Sequence, residues 1–583
     1  MRNSPYSKHT EILLLCLPIP LISYAALLAA STESTVYCGL QELLRRFQSP
    51  GKPVLCSHSV PAVLLALLAY GFLILIWKST ERNRRSGEEH GSAKWGSVST
   101  LNRALSQKNA FPLTRHVRLG MDTRKHLRNL NLLVIGGSGA GKTRSVVLPG
   151  ILSAAAGESN VSLAITDPKG EILKSTGALL QRKGFQVKVF DLVNPEESNC
   201  YNPFRYLRSD QDVLKLITNL IRNTTPRRST GDPFWEKSEI ALLEALVFYL
   251  WYEAPEEEQN FGTVMSMLSY AEVREDDNKF VSPLDKLFLD LKEREPDHIA
   301  VRQFTIYKSA AGRTAKSIII SCAVRLSAFN LDPIRHLTER DEMDLSEMGR
   351  RKTAVFAVIP DNDDSLSYLV GILYTQMIQE LFREADRSPS GSLDIPVRMI
   401  LDEFCNVSLP DSFDRSLATM RSRGVSATVI VQNLAQLKTL YKEGSWETIP
   451  GNCDTILYLG GNEQSSHEYI SKMLGRETVE TKSVSRSSGR SGGGSTQSGS
   501  TGRELLAPNE VRLLDNRYAI LFVRGFDPVM DEKYDPESHP LYHAAKSGIP
   551  FRVRENGYRS APLSGFLPDT PDADYVLCPP ESI

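Results

Sequence analysis

Hydrophobic positions follow two regimes along this chain. In the first, two uncharged apolar runs stand near the N-terminus, Ile12 to Ala30 (19 residues) and Val60 to Trp77 (18 residues). Each approaches the ~20 residues a helix needs to cross a bilayer. Pro18 and Pro20 lie inside the first run and predict a bend. A signal peptide is the competing reading of that run; Pro18 and the second run favour two membrane helices, about 12–30 and 60–77. In the second regime, from Asn131 onward, short apolar runs alternate with helical periods. NLLVI (131–135), VSLAIT (161–166), VKVF (187–190), AVFAVI (354–359), RMIL (398–401), ATVIV (427–431), TILYL (455–459) and YAILFV (518–523) read as strands. Continuous apolar strands with helices between them predict an α/β fold, a mostly parallel sheet covered on both faces.

Two intervals break that rhythm. Between about Tyr206 and Met348 strand signal almost vanishes, and QDVLKLITNLI, SEIALLEALVFYLWY and TAKSIIISCAVRL read as helices. An all-α domain inserted into the sheet's connectivity is expected. Glu480 to Gly502 is dominated by Ser, Gly and Thr, which predicts a mobile loop. A linker between domains is the alternative, but a lone strand at 518–523 is better explained as returning to the same sheet. The tail from Pro562 is Pro-rich and acidic and is expected to be disordered. The expected divisions are an anchor (1–85), a first part of the sheet-bearing domain (86–205), the helical insertion (206–348), a second part of that domain (349–530) and a tail (531–583).

Charge adds orientation. Lys78, Arg82, Arg84 and Arg85 crowd the exit of the second apolar run, and Arg2 and Lys8 precede the first. The loop between them holds Arg45, Arg46 and Lys52 over a longer stretch. That bias puts both termini and everything after Trp77 in the cytoplasm. A net charge of -1 over 583 residues excludes a globally basic nucleic-acid binder but leaves room for a local basic lining. The eight cysteines form no C-x-x-C pair, which argues against a zinc site. Cys38 and Cys56 flank the external loop; a disulfide and two free thiols are both open readings.

Candidate chemistry sits at two places. GGSGAGKT (Gly136, Gly137, Ser138, Gly139, Ala140, Gly141, Lys142, Thr143), followed by Arg144, matches G-x-x-x-x-G-K-[ST] between a strand and a helix. Glycines let backbone N–H groups turn toward phosphates, and the helix N-terminus adds partial positive charge. Lys142 is expected to reach the terminal phosphates of ATP and Thr143 to place its hydroxyl on Mg²⁺. The following helix should start at Lys142 and bend at Pro149. LDEF (401–404) ends an apolar strand in two carboxylates. Asp402 is expected to serve Mg²⁺ through water, and Glu403 to orient and polarise the attacking water. Arg421 and Arg423 are candidate arginines for a neighbouring subunit's phosphate, and Gln432, after a strand, a candidate γ-phosphate sensor. A solvated face and a loop amide are the alternatives for these.

With TDPKGE (166–171), RSRGVSATVIVQN (421–433), HGSAKWG (90–96), DPFWEKSE (232–239) and GRELLAPNEV (502–511), these motifs resemble the TraG-type coupling proteins of type IV secretion and conjugation. The resemblance covers about His90 to Asp527 and the apolar anchor. It implies a RecA-like P-loop core of the FtsK/HerA kind with an inserted all-α domain. It implies a homohexameric ATPase in the bacterial inner membrane that passes a relaxase–single-stranded DNA complex to the secretion channel. Carried over, Arg421 is the arginine finger, Gln432 the family's glutamine, and Asp167 and Lys169 a signature near the nucleotide; a helix cap is the alternative for Asp167. Rival readings are a cargo-docking receptor with a regulatory ATP site and a double-stranded DNA pump. The Pro-rich tail lacks the winged domain usual in the latter.

Overall fold

All eight predicted strands form, and they lie in one nine-stranded sheet. In chain order they are β1 (Leu132–Ile135), β2 (Ser162–Pro168), β3 (Gln186–Asp191), β4 (Thr353–Ile359), β5 (Val397–Leu401), β6 (Val425–Val431), β7 (Thr455–Tyr458), β8 (Tyr518–Val523) and β9 (Val529–Glu532). Their spatial order is β9-β8-β7-β1-β6-β5-β2-β4-β3. Every neighbouring pair from β7 across to β3 is parallel. β8 runs antiparallel to β7, and β9 antiparallel to β8. Strands β1, β4, β5 and β6 are buried at every position, which explains their predominantly apolar sequences. The computed structural model describes residues 15–30, 57–80, 88–225, 233–273, 280–309, 312–360, 365–407, 413–441, 444–486 and 494–546, with isolated positions 48, 55, 551 and 553.

The helical insertion replaces the crossover between neighbouring strands β3 and β4. It includes Asp210–Thr224, Pro233–Glu253, Phe261–Ser269, Pro283–Arg294, Ile299–Lys308, Gly312–Arg325 and Asp332–Glu339. Stacked rings fill it, Phe288 on Phe304 at 3.9 Å and Phe261 on Phe329 at 4.7 Å between centroids. The half-buried Arg325 guanidinium pairs with the buried Glu239 at 2.6 Å and donates to the Ile221 carbonyl at 3.1 Å, so one cation joins three helices. Truncating either member would leave a buried charge without its partner.

The chain divides into two units, residues 1–92 with 478–502, and residues 93–477 with 503–583. In the first, Ser59–Thr80 is a helix whose stretch Ser59–Ile76 has a mean hydropathy of 2.5 and exposes its apolar side chains. It is long and apolar enough to cross a membrane. The first predicted span is represented by a shorter apolar helix, Ile19–Ala30, and the helical pattern breaks at Leu17 and Pro18, where the prolines predict a bend. The Tyr70 hydroxyl donates to the Leu15 carbonyl at 3.0 Å and so joins the two apolar segments. The predicted mobile stretch 480–502 is corrected in part. Arg476–Arg486 and Gly494–Glu504 pair as a two-stranded ribbon. Backbone pairing needs no buried core, and Thr478, Val479 and Thr481 supply β-branched residues that favour it. His90 N–H donates to the Thr478 hydroxyl at 3.0 Å, which donates in turn to the Gly91 carbonyl at 3.1 Å. Cys38, Cys56 and the tail beyond Pro562 lie outside the described residues.

Three further elements were not anticipated. Ala110–Pro112 and Arg118–Gly120 form an antiparallel hairpin. The sheet continues to β9, and the segment placed in the tail folds onward through Asp535 to the helix Tyr542–Lys546, where Tyr542 is buried. The buried Asp531 on β9 accepts from the Thr114 hydroxyl at 2.6 Å and from His116 N–H at 3.1 Å, tying the hairpin to the sheet edge. Gly96 N–H donates to the Pro528 carbonyl at 2.7 Å, and a Cβ there would come within 2.7 Å of the Asp527 carbonyl oxygen. The glycine ending HGSAKWG is therefore a packing requirement.

Asp167 closes β2 and behaves as a cap. Its carboxylate accepts the N–H groups of Ile172 at 3.2 Å and Leu173 at 2.7 Å, opening the helix Glu171–Arg182. Burial pushes its carboxyl up to about 6 from 3.8, against the two N–H groups that favour the anion. The folded chain therefore holds this proton more tightly than the unfolded chain does. Stability should fall as pH rises from about 4 to about 6, by roughly 2–3 kcal/mol from this group. Denaturant unfolding across that range should show this slope in the wild type and a flatter one in Asp167→Asn; equal slopes would contradict the assignment.

Candidate functional site

The Gly136–Thr143 loop leaves the carboxyl end of β1 between the ends of two neighbours. Gly136 N–H donates to the Val431 carbonyl of β6 at 3.1 Å, and Gly137 N–H to the Gly460 carbonyl, just past β7, at 2.9 Å. Gly139 and Gly141 adopt φ of 76° and 83°, left-handed values that turn successive amides to one side. Lys142 folds back across the loop, its Nζ 3.3 Å from the Gly137 carbonyl. The helix beyond departs from expectation. Residues Thr143–Val147 form a π-turn, with Leu148 N–H bonded to the Thr143 carbonyl, and the α-helix proper is Leu148–Ala155. Pro149 sits in its first turn, where no N–H is required, so the wider turn replaces the predicted bend.

Asp402 and Glu403 follow β5, two strands from β1. The Thr143 hydroxyl donates to Asp402 Oδ2 at 3.0 Å. Burial raises the Asp402 carboxyl above the ordinary carboxylate range, and the Thr143 hydroxyl and Lys142 pull it back. Glu403 adopts φ of 51°, rare for a side chain with a Cβ. Asp402 Oδ1 holds its N–H at 3.0 Å, and Asn406 Nδ2 donates to its Oε2 at 2.8 Å. Gln432 Nε2 lies 3.5 Å from Glu403 Oε1. Lys142, Thr143, Asp402, Glu403 and Gln432 therefore meet at one sheet edge. The hydroxyl and carboxylate are hard oxygen donors of the kind Mg²⁺ takes when phosphates and water complete its shell. Among the described residues no cluster of three or more His, Cys, Asp or Glu side chains could hold a metal by itself.

Other candidates fall elsewhere. Arg144 turns its guanidinium to Asp535 at 3.1 Å and Glu537 at 2.9 Å. Arg421 lies in a short turn, Arg421–Arg423, at the start of β6, whereas Gln432 follows its end. Seven strand residues separate the two, roughly 20 Å. The Arg421 side chain is exposed and makes no hydrogen bond or ion pair among the described residues. Arg423 pairs with Asp386 at 2.9 Å and stacks over Phe382 at 4.6 Å.

Sequence reading missed one wall of the site. A cleft of about 490 Å³ opens beside Gly139–Gly141 and is bounded by Arg115, Asn516, Arg517, Lys533 and Tyr534. These come from the 110–120 hairpin and the β8–β9 edge. The turn RGFDP (524–528) after an apolar strand was the available hairpin signal.

The family described as type IV secretory system conjugative DNA transfer matches residues 94–535. Protein VirD4 of Rhizobium rhizogenes is 23% identical over 82% of this chain and 70% of its own length. Conjugal transfer protein TraG of Escherichia coli is 25% identical over 64% of this chain and 60% of its own length. Among solved structures, unbound conjugative coupling protein TrwB lacking its N-terminal segment superposes with a TM-score of 0.57 at 15% identity, over 81% of this chain and 99% of that one. TrwB in complex with ADP and Mg²⁺ gives 0.54 at 16%, over 76% and 94%. With the family match spanning most of the sheet and its helical insertion, the chain belongs to the type IV secretory system conjugative DNA-transfer family, the TraG-type coupling proteins.

Proposed function

We propose that this chain is a membrane-anchored ATPase that recruits a relaxase–single-stranded DNA complex, or a protein cargo, and drives it into a type IV secretion channel. The observation that carries the reading is the 3.0 Å bond joining Thr143 to Asp402, with Glu403 one residue on. A phosphate loop alone binds nucleotide; a carboxylate pair beside it supports hydrolysis. The loop N–H groups and Lys142 would hold the β- and γ-phosphates of ATP. Mg²⁺, bound with the nucleotide, would neutralise charge between those phosphates. Glu403 would take a proton from the attacking water as its oxygen bonds to the γ-phosphorus and the bond to ADP breaks. Asn406 and Gln432 hold the Glu403 carboxylate for that task. The solved TrwB complex with ADP and Mg²⁺ supports the choice of ligand.

Anchor, assembly and location follow in the same reading. The two apolar segments act as a hairpin in the bacterial inner membrane, with both termini and the sheet-bearing unit in the cytoplasm. Six copies form a ring. Arg421, remote from its own Lys142, serves the nucleotide of a neighbouring copy.

ATPase assays on the purified chain test the chemistry. Lys142→Ala should abolish ATP binding, and Glu403→Gln should bind ATP while hydrolysis falls at least about 100-fold. Single-stranded DNA should stimulate only the wild type. Full cargo transfer by Glu403→Gln would leave a docking receptor in place of a motor. Mixing tests the assignment of Arg421. Arg421→Ala and Lys142→Ala should each be inactive alone, and a mixture should regain measurable hydrolysis at sites pairing an intact Lys142 with a neighbour's Arg421. A mixture as inactive as its parts would remove Arg421 from the reaction.

A further inference from the structure

Four cations line or border the cleft beside the phosphate loop, and three have carboxylates of their own. Arg115 pairs with Glu532, Arg144 with Asp535 and Glu537, and Arg517 with Asp515 at 2.9 Å. Lys533 differs. Its ammonium is half-buried and donates to two neutral acceptors, the Ala140 carbonyl at 2.9 Å and Asn516 Oδ1 at 2.7 Å. Among the described residues no carboxylate lies within ion-pair distance of it; Asp515 acts only through its field. Burial pulls this lysine down to about 8 from 10.5.

The acceptor on the loop matters more than the charge. The Ala140 carbonyl and the Gly141 N–H belong to one peptide plane and, in a trans peptide, point opposite ways. A donor holding the carbonyl outward therefore aims the N–H of Gly141 inward, toward the phosphates. Both neighbouring peptides are already held. Ala140 N–H donates to the Gly137 carbonyl at 3.1 Å, and Ser145 N–H to the Gly141 carbonyl at 2.7 Å. The Gly141 N–H itself makes no hydrogen bond among the described residues. Gly141, at φ of 83° and without a Cβ, offers little steric resistance to a flip of this peptide. Lys533 is the latch that selects one orientation.

We propose that Lys533 is a positioning residue for nucleotide binding, latching the Ala140–Gly141 peptide so that its N–H faces the phosphates. The proposal rests on the ATPase reading above. Lys533 reaches the loop from the segment following β9, and Asn516 from the turn before β8, so the outer sheet edge sets the loop's geometry. The ammonium also gains from an incoming polyanion the negative partner it lacks.

The test uses the full chain in detergent, a fluorescent ATP analogue, and the variants Lys533→Met, Lys533→Arg and Asn516→Ala beside Lys142→Ala. Lys533→Met should bind the analogue about tenfold more weakly, order-of-magnitude for one lost oriented contact. Its thermal midpoint without nucleotide should match or exceed the wild type, because removing a half-buried charge costs the apo fold little. Lys533→Arg should recover most of the affinity. The charged and titratable groups that share the cleft with Lys533 are Arg115 from the hairpin, Arg144 beyond the phosphate loop, Arg517 from the turn before β8, and Glu532, Tyr534 and Asp535 from its own segment, with Asp515 acting through its field. Raising pH from 7 to 9 removes the lysine proton, so wild-type affinity should weaken over that range while Lys533→Met stays flat. Affinity of Lys533→Met within twofold of the wild type at every pH overturns the proposal. If that happens while Lys142→Ala loses binding, the phosphate site itself stands; binding retained by Lys142→Ala overturns the site reading instead. Should Lys533→Met fail to fold, Asn516→Ala decides. A weakened affinity supports the latch, and an affinity and pH profile equal to the wild type overturns it.

Discussion

A hydroxyl on one loop and a carboxylate 259 positions later can meet at 3.0 Å only if their strands end at one edge. The order β1-β6-β5, all parallel, supplies that edge: β1 runs into Thr143's loop and β5 into Asp402. Parallel pairing makes the carboxyl ends coincide, and burial on both faces fixes the register, because a slip of one residue would exchange the two faces. The β6 end contributes directly, since the Val431 carbonyl holds the first N–H of the phosphate loop and Gln432 follows at Glu403. The site is thus assembled by the sheet's order, and the long helical insertion leaves it undisturbed. That insertion enters between β3 and β4, at the opposite end of the strand order from the β8–β9 edge that walls the cleft.

The same edge concentrates charge and backbone strain. Asp402, just past β5, and Asp167, near the end of the neighbouring β2, lie buried, each held above the ordinary carboxylate range chiefly by burial. Glu403 and Lys169, each in the turn that follows, both take left-handed φ, 51° and 81°. Such conformations cost about 1–3 kcal/mol each and persist where the surroundings over-determine them. Here the surroundings are explicit: Asp402 accepts the Glu403 N–H, and Lys169 N–H donates to the Ile359 carbonyl of β4. For Asp402, a ligand bearing Mg²⁺ would relieve the burial of its charge. Ligand binding then adds stability to the fold in the measure that it prefers the folded chain.

What the sequence made legible follows from which signals are local. β1 shows as an unbroken run of Leu, Val and Ile, and β6 as a run ending in Val429, Ile430 and Val431, because both faces are covered. The phosphate loop shows because its chemistry requires glycines at fixed positions, and LDEF because two acids at the end of an apolar strand are costly without a task. β9 was not legible: VMDE buries alternate residues only, and its acids, Asp531 and Glu532, bond to the 110–120 hairpin some 400 positions earlier. The cleft wall was hidden for the same reason. The ribbon at 476–504 was misread because composition reports the lack of a core, and backbone pairing needs none. Asp167 was expected within a signature near the nucleotide, with a helix cap as the alternative, and its oxygens cap the helix that follows.

A single copy places Lys142 and Arg421 at opposite ends of the strands. Gln432 leaves β6 beside Glu403, while Arg421 precedes β6 at the other end, exposed and unpaired among the described residues. The neighbouring Arg423 is occupied by Asp386 and Phe382, so local structure has already used one of the two arginines. An arginine kept free at the far edge fits an arrangement in which each copy offers its amino-end edge to the next copy's carboxyl-end edge. Such a contact is heterologous, and repeated by a closing rotation it yields a ring rather than a filament. In the proposed ring, hydrolysis would depend on contact between copies, because the phosphate loop and Arg421 would reach each site from different chains.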